Sequence, residues 1–211
     1  MRIFHRQAVC FVLVLPLLAG CSESVTDPGK VVSISRFPST IGTNWTYSVT
    51  DSLTLTSSVI TITVTDSASL TGGTPGVVWS VQGGGLNQSK FVALLADGIR
   101  IQESSRNEFL SEDIKLPMTT GDSWQQVSAR EFDSSVVPFL GAVSTISGTF
   151  QISARVERVW GFAFGDRLGE SVTWIAEDVG IVYRHLIEYS PTDPTLIITH
   201  EVWDLSAHQV N

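Results

Sequence analysis

Alternation of apolar and polar side chains with a period of two is the feature that most constrains this fold. It runs through residues 45–50, 60–65 and 150–157, where aromatic and β-branched residues alternate with polar ones. Because successive side chains of a strand point to opposite faces of a sheet, the pattern is typical of antiparallel strands with one buried face. Trp45 and Trp174 stand in such strands, and we expect both to be mostly buried on the inner face.

Glycine and proline clusters separate these runs and indicate turns. They lie at residues 72–76, 83–85, 121–122, 165–166 and 190–194. After the first 20 residues no segment carries a helical stripe of useful length, although 106–115 could form one short helix. The predicted fold class is all-β: an antiparallel curved sheet or half-barrel with little helix.

The chain also repeats itself at a spacing of about 80 residues. Trp45 corresponds to Trp124, Trp79 to Trp160 and Gly98 to Gly180, which predicts two similar β-meanders in residues 42–104 and 121–189. The alternative is that antiparallel β proteins resemble one another at this level of detail.

The first 21 residues predict export. Arg2 and Arg6 precede an apolar run at 8–18, which is too short to cross a bilayer and is typical of a secretory signal peptide. The alternative is a buried hydrophobic N-terminal helix. The motif Leu18-Ala19-Gly20-Cys21 resembles the lipobox of bacterial lipoproteins. That resemblance implies cleavage before Cys21, a lipid on its sulfur and anchoring by acyl chains such as palmitate.

The predicted organisation follows from this motif. Residues 1–20 form a signal peptide, 21–36 a flexible tether and 37–211 a single β domain, although 31–35 could form an edge strand. By the same resemblance, Ser22 after the acylated cysteine favours the outer membrane over the inner membrane, with the domain in the periplasm or at the cell surface.

Composition limits the function classes. The formal net charge is −8, which argues against a nucleic-acid partner and against electrostatic adhesion to anionic lipid. Of the two cysteines, Cys10 leaves with the signal peptide and Cys21 takes the lipid, so the mature domain has no disulfide and no cysteine ligand for a metal.

A wider resemblance rests on Phe37-Pro38, residues 42–47 and residues 174–182. These segments resemble the opening and the closing strand pair of small all-β envelope lipoproteins of unknown function, over most of residues 36–189. The resemblance implies a curved antiparallel sheet, similar to the half-barrels of periplasmic lipoprotein carriers, and it transfers no activity.

The candidate chemical groups are few. His185 and His200 could face each other on neighbouring strands, but a metal site would lack a third ligand, and an isolated strand histidine such as His208 is usually a surface residue. The pairs Glu112-Asp113 and Glu177-Asp178 are interpreted as solvated loop charges. No serine-hydrolase pentapeptide occurs. We therefore predict no catalytic residue, no metal and no cofactor.

The uncharged segment 134–148 is the predicted contact surface. Pro138 and Gly141 should keep it out of the sheet as a loop. Its apolar residues either form an exposed ligand or partner contact or fold inward as a plug. They are Val136, Val137, Phe139 and Leu140.

The sequence thus predicts a lipid-anchored envelope protein that is not an enzyme and acts through binding or as a structural surface element. Its partners would be the membrane, through Cys21, and either an envelope protein or a hydrophobic ligand. The alternative is a carrier that holds a lipid or hydrophobic ligand in a sheet cavity closed by residues 134–148, and an envelope hydrolase is the minor alternative.

Overall fold

The structure, a computed structural model, describes residues 33–102, 111–127, 131–162 and 167–211. The predicted signal peptide, Cys21 and residues 21–32 of the predicted tether lie outside the described residues. Within those four ranges, no helix has the length and apolar character that crossing a membrane requires.

The described residues form twelve β-strands and one short 3-10 turn, Thr71–Gly73. The segment 106–115, which could have been a helix, contributes its described end to a strand. The strands are β1 Asn44–Asp51, β2 Thr56–Ser69, β3 Pro75–Gly83, β4 Leu86–Leu95, β5 Gly98–Gln102, β6 Glu112–Lys115, β7 Ser123–Val127, β8 Glu131–Thr145, β9 Gly148–Phe162, β10 Arg167–Ala176, β11 Gly180–Ser190 and β12 Asp193–Gln209.

All twelve strands belong to one antiparallel sheet, in the order β6-β5-β4-β3-β2-β1-β12-β11-β10-β9-β8-β7. The predicted all-β fold class is confirmed. The first and last strands lie side by side in the middle of this order, where β1 pairs with β12 from Asn44↔Gln209 to Asp51↔Glu201. Apart from β1 and β12, neighbouring strands in this order are consecutive in the chain, so nearly all the sheet grows from local pairing.

The edge strands β6 and β7 approach each other, so the sheet is nearly closed. Trp124 on β7 donates its indole N–H to the carbonyl of Asp113 on β6, at 3.1 Å. No backbone ladder joins these two strands among the described residues. We call this junction the seam.

The residues that mark the sequence repeat lie six strands apart. Trp45 and Trp124 are on β1 and β7, Trp79 and Trp160 on β3 and β9. Gly98 and Gly180 open β5 and β11, both with a positive φ, of 141° and 92°, that favours glycine. This is the correspondence that a duplication requires, and common ancestry of the halves stays a prediction.

The alternating positions separate an inner from an outer face, although one tryptophan was assigned to the wrong face. Trp45 is 2% exposed, as expected. Trp174 is only half-buried, because Thr173 and Ile175 on either side of it take the inward positions on β10. The ring of Trp174 instead meets the ring of Phe139 edge to face, at a centroid distance of 5.9 Å.

The prediction that residues 134–148 stay out of the sheet was also wrong. Most of this segment lies in β8, which pairs with β9, and the turn is confined to residues 146–147. Two register shifts accommodate it, one between Val136 and Phe139 and one between Gly141 and Val143. A bulge places Pro138 where the ladder needs no N–H donor, so the proline bends the strand without ending it.

Candidate functional site

Turns alternate between two ends of the sheet, and a cavity occupies one of them. We call the end with the β1–β2, β3–β4 and β11–β12 turns the lower end. The end with the β2–β3, β4–β5 and β10–β11 turns is the upper end, where the described chain begins. A cavity of about 310 Å³ lies inside the lower half of the sheet. This volume is at the small end of the ~300–1,000 Å³ range of small-molecule sites.

Aromatic side chains form much of the cavity wall. Tyr47, Trp79 and Trp203 come from inward positions of β1, β3 and β12. The rings of Tyr47 and Trp203 meet edge to face at 5.7 Å. Ile62, Val81, Leu86, Ile101, Ile181 and Leu186 add aliphatic surface. The wall can therefore surround an apolar body.

The hydroxyl of Tyr47 is held inside the sheet. It donates a hydrogen bond to the carbonyl of Ile181 at 2.8 Å. Burial raises the pKa of Tyr47 well above its usual value, and the positive charge of Arg184 lowers it by less. The phenol is therefore neutral at physiological pH and acts as a fixed hydrogen-bonding group.

Charged groups share the same wall. Arg184 donates to Glu112 Oε1 at 2.5 Å and to Thr173 Oγ1 at 3.2 Å. Burial raises the pKa of Glu112, but the charges of Arg184 and Arg158 outweigh that effect and the net shift is downward. Glu112 is therefore ionised at neutral pH, and its carboxylate fixes the Arg184 guanidinium at the cavity surface.

A second arginine extends this network to the seam. Arg158 on β9 donates to both carboxylate oxygens of Asp133, with its shortest bond at 2.6 Å. It also donates to the carbonyl of Ser111 at 2.9 Å and lies 4.5 Å from the ring centre of Trp160. Arg158 thus connects β8 and β9 to the chain that leads into β6, where no ladder does so.

The acidic pair Glu112-Asp113 was interpreted as solvated, and the structure contradicts this. The two side chains are 14% and 10% exposed. Asp113 is paired with Arg100 at 2.7 Å, just as Glu112 is paired with Arg184. Arginines distant in sequence neutralise both carboxylates, which is why the local sequence suggested a solvated loop.

One cavity group lacks a partner. The indole nitrogen Nε1 of Trp79 is buried and has no hydrogen-bond partner among the described residues. Trp79 is 4% exposed and its ring stacks on Phe37, with centroids 6.0 Å apart. An unpaired buried N–H costs on the order of 1–3 kcal/mol.

The predicted contact residues do not line this cavity. Val136 and Phe139 are 38% and 49% exposed, Leu140 is half-buried and Val137 is fully buried. The backbone N–H and C=O of Val137 bond to Asp122 and Gly121, which holds β8 against the upper part of the seam. The prediction that residues 134–148 close a cavity is therefore wrong, because strand pairing keeps that segment in the wall of the sheet. A partner contact at Val136 and Phe139 stays a prediction.

The remaining candidate groups lie away from the cavity. Glu177, at the predicted β10–β11 turn, accepts hydrogen bonds from the backbone N–H and the hydroxyl of Ser35. Ile34 is fully buried and bridges Met118, so residues 34–35 of the predicted tether are joined to the domain. The upper end also has a larger, more open hollow of about 640 Å³ around Phe37 and Pro117.

Sequence analysis missed the residues that line the cavity because its wall comes from seven strands. Its residues, from Tyr47 to Trp203, share no local motif. The one signal available was their inward register in separate alternating runs.

Comparison with known proteins identifies no family. No family model and no curated protein matches the chain. Two solved structures are similar to it. One is described as an exported protein with a YmcC-like fold, from Bacteroides fragilis, at 12% identity and a TM-score of 0.46, covering 82% of this chain and 98% of the other. The other is described as a lipoprotein from Parabacteroides distasonis, at 11% identity and a TM-score of 0.45, covering 82% and 97%. Likeness at this level carries no argument about function.

Proposed function

We propose that this chain is a lipid-anchored protein of the cell envelope that binds a small amphipathic molecule in its cavity and does not transform it. The cavity is the observation that carries the proposal. Aromatic walls with a few convergent polar groups are typical of ligand sites. The lipobox at residues 18–21 supports the anchor, with the outer membrane favoured by Ser22.

The chemistry of the wall defines the ligand class. The aromatic groups Tyr47, Trp79 and Trp203 favour a flat or aliphatic apolar body. Cations and anions are both present, as Lys90, Arg184, Glu188 and Glu201. A polar but nearly neutral head group therefore fits better than a strongly charged one.

The charged groups favour binding over catalysis. Arg184 is engaged by Glu112, and the Oε2 of Glu201 accepts the indole N–H of Trp203 at 2.7 Å. Groups held in such bonds shape the wall and orient a ligand, whereas a general acid or base needs a proton it can exchange with the substrate.

A fluorescent probe tests the cavity. N-phenyl-1-naphthylamine is small, apolar and neutral, and we expect one molecule to bind per chain with enhanced emission. Leu186→Trp fills the cavity and should abolish the enhancement while the melting temperature is retained. Leu196→Trp is the matched control because Leu196 is 54% exposed and does not line the cavity. Equal binding by both variants would contradict the proposal.

The natural ligand can be sought directly. The detergent-solubilised full chain and Leu186→Trp would be extracted with organic solvent and compared by mass spectrometry. A compound that accompanies the parent and is depleted from the variant is the expected result. Identical extracts would argue against a carried ligand.

A partner contact on the outer face is the second candidate. Val136, Phe139, Ile146 and Ile152 are exposed apolar residues on the β8–β9 hairpin. Phe139→Ser with Ile146→Ser should weaken binding to an envelope protein without affecting the naphthylamine probe.

A further inference from the structure

Two histidines meet on the outer face of the sheet, away from the cavity. His185 on β11 and His200 on β12 have their Nε2 atoms 2.9 Å apart. Register places His185 opposite Val202, and His200 opposite Ile187. The rings therefore approach diagonally across two paired strands whose backbones the ladder holds in place.

The distance between the two nitrogens is short enough for one metal ion to bind both. Imidazole nitrogens bind Zn²⁺ at about 2.0–2.1 Å, and other first-row metals at similar lengths. At that length, two ligands about 90° apart have nitrogens about 2.9 Å apart, whereas tetrahedral ligands are about 3.3 Å apart. The observed 2.9 Å, which is also the length of an N–H···N hydrogen bond, places both nitrogens within reach of one metal ion.

We propose that His185 and His200 form a two-histidine site for Cu²⁺ or Ni²⁺, with water in the remaining positions. These ions prefer square-planar or tetragonal nitrogen and oxygen ligands. No cluster of three or more His, Cys, Asp or Glu side chains suited to a metal occurs within the ranges the structure describes. The site is therefore a bidentate chelate on a rigid backbone.

A metal ion can replace the hydrogen bond between the two rings without a net change in protonation. In the hydrogen-bonded pair one imidazole donates from Nε2, and that proton moves to Nδ1 when the metal binds Nε2. No net proton is lost from a neutral pair.

The surroundings leave the chelate accessible. Val172, Val202 and Ile187 flank the pair on the outer face by register. Glu170 is already bonded to Tyr189 and Arg167. Asp51, at the end of β1, accepts hydrogen bonds from Leu53 and Thr54. Both histidines are half-buried, so solvent reaches the open metal positions.

Copper titration of the full chain tests the site. The protein would be held in detergent with its thiols alkylated, and binding measured by calorimetry and electron paramagnetic resonance. We expect one tight Cu²⁺ per chain with hyperfine coupling to two imidazole nitrogens. His185→Gln and His200→Gln should each weaken binding by more than about tenfold, since even losing an outer partner of a ligand costs ~10–100-fold.

His208→Gln is the matched control. His208 is on the same strand as His200, but its ring packs against Phe150 at 5.8 Å. This variant should bind copper like the parent, and near-UV circular dichroism should show that all three variants are folded. Equal affinity in all four proteins, or coupling to one nitrogen in the parent, would overturn the proposal.

Discussion

The sheet has two junctions between its first half, here β1–β6, and its second half, β7–β12, and they are closed in different ways. At β1/β12 a backbone ladder runs from Asn44 to Asp51. At the seam, β6 and β7 are joined by side chains without a described ladder. If the halves are related, the two junctions are equivalent, because β7 corresponds to β1 and β6 corresponds to β12.

The tryptophans at the start of β1 and β7 show what the junctions share. Each donates its indole N–H to a backbone carbonyl of the other half, Trp45 to Val179 at 2.6 Å and Trp124 to Asp113 at 3.1 Å. Trp45 is 2% exposed and its ring packs against Phe37 and Trp79, whereas Trp124 at the seam is half-buried.

The difference teaches that a sheet can be completed by ion pairs when backbone pairing is missing. Glu112, Arg184, Arg158 and Asp133 bridge the strands around the seam. Such buried charges are costly to break singly, because the partner is left buried and unpaired. The seam therefore depends on a few side chains, and the ladder on many backbone bonds.

The largest expected difference is between the two tryptophans. Trp45→Ala should lower the free energy of unfolding by about 3–5 kcal/mol, from lost apolar burial and the cavity left behind. Trp124→Ala should cost about 1–3 kcal/mol, because its ring is half-buried. Urea denaturation followed by circular dichroism measures both. Equal losses would mean that the seam is packed as tightly as the ladder.

Removing the charge at the centre of the seam should have the next largest effect. Glu112→Gln keeps the shape but loses the charge facing Arg184 and Arg158, and should cost about 1.5–3 kcal/mol. Asp97→Asn, which breaks the exposed pair with Lys115, is the control and should cost less than about 1 kcal/mol. If the two variants lose the same stability, the seam does not depend on Glu112.

The pH dependence of stability of Glu112→Gln gives a second test of the seam. The folded pKa of Glu112 lies below its ordinary value, so its ion pairs stabilise the protein above pH ~4.5 and are lost as the pH falls through the folded pKa. The parent should thus lose more stability than Glu112→Gln between neutral pH and the acid range. Chemical denaturation at several pH values measures this, and parallel profiles would contradict it.

The smallest effect is expected on the outer face of β8, beside the seam. Phe139→Ser removes the edge-to-face contact with Trp174 and should cost about 0.5–1.5 kcal/mol. Ile146→Ser, at the 62% exposed tip, should change stability by less than about 0.5 kcal/mol. A loss above about 3 kcal/mol for Phe139→Ser would restore the interpretation of this residue as a core plug.

Much of the fold could be predicted from the sequence, and most of the site could not. The alternating runs identified antiparallel strands, and the facing of His185 and His200 followed from their places in neighbouring strands. The cavity was missed because its walls come from strands that are distant in the chain. The face of Trp174 was misjudged because alternation assigns two faces without saying which is inside.

Local patterns by themselves predicted the alternating strands at residues 45–50, 60–65 and 150–157 and the turns at 72–76, 83–85 and 121–122, because neighbouring residues set backbone preference and pairing in a meander. Only the tertiary structure decided which carboxylates are buried, since Glu112 and Asp113 need arginines from β11, β9 and β5 to offset their desolvation. The effect of Pro138 was also decided by the tertiary structure. The ladder with the partner strand β9 accommodates a bulge at that point, so the proline does not end the strand.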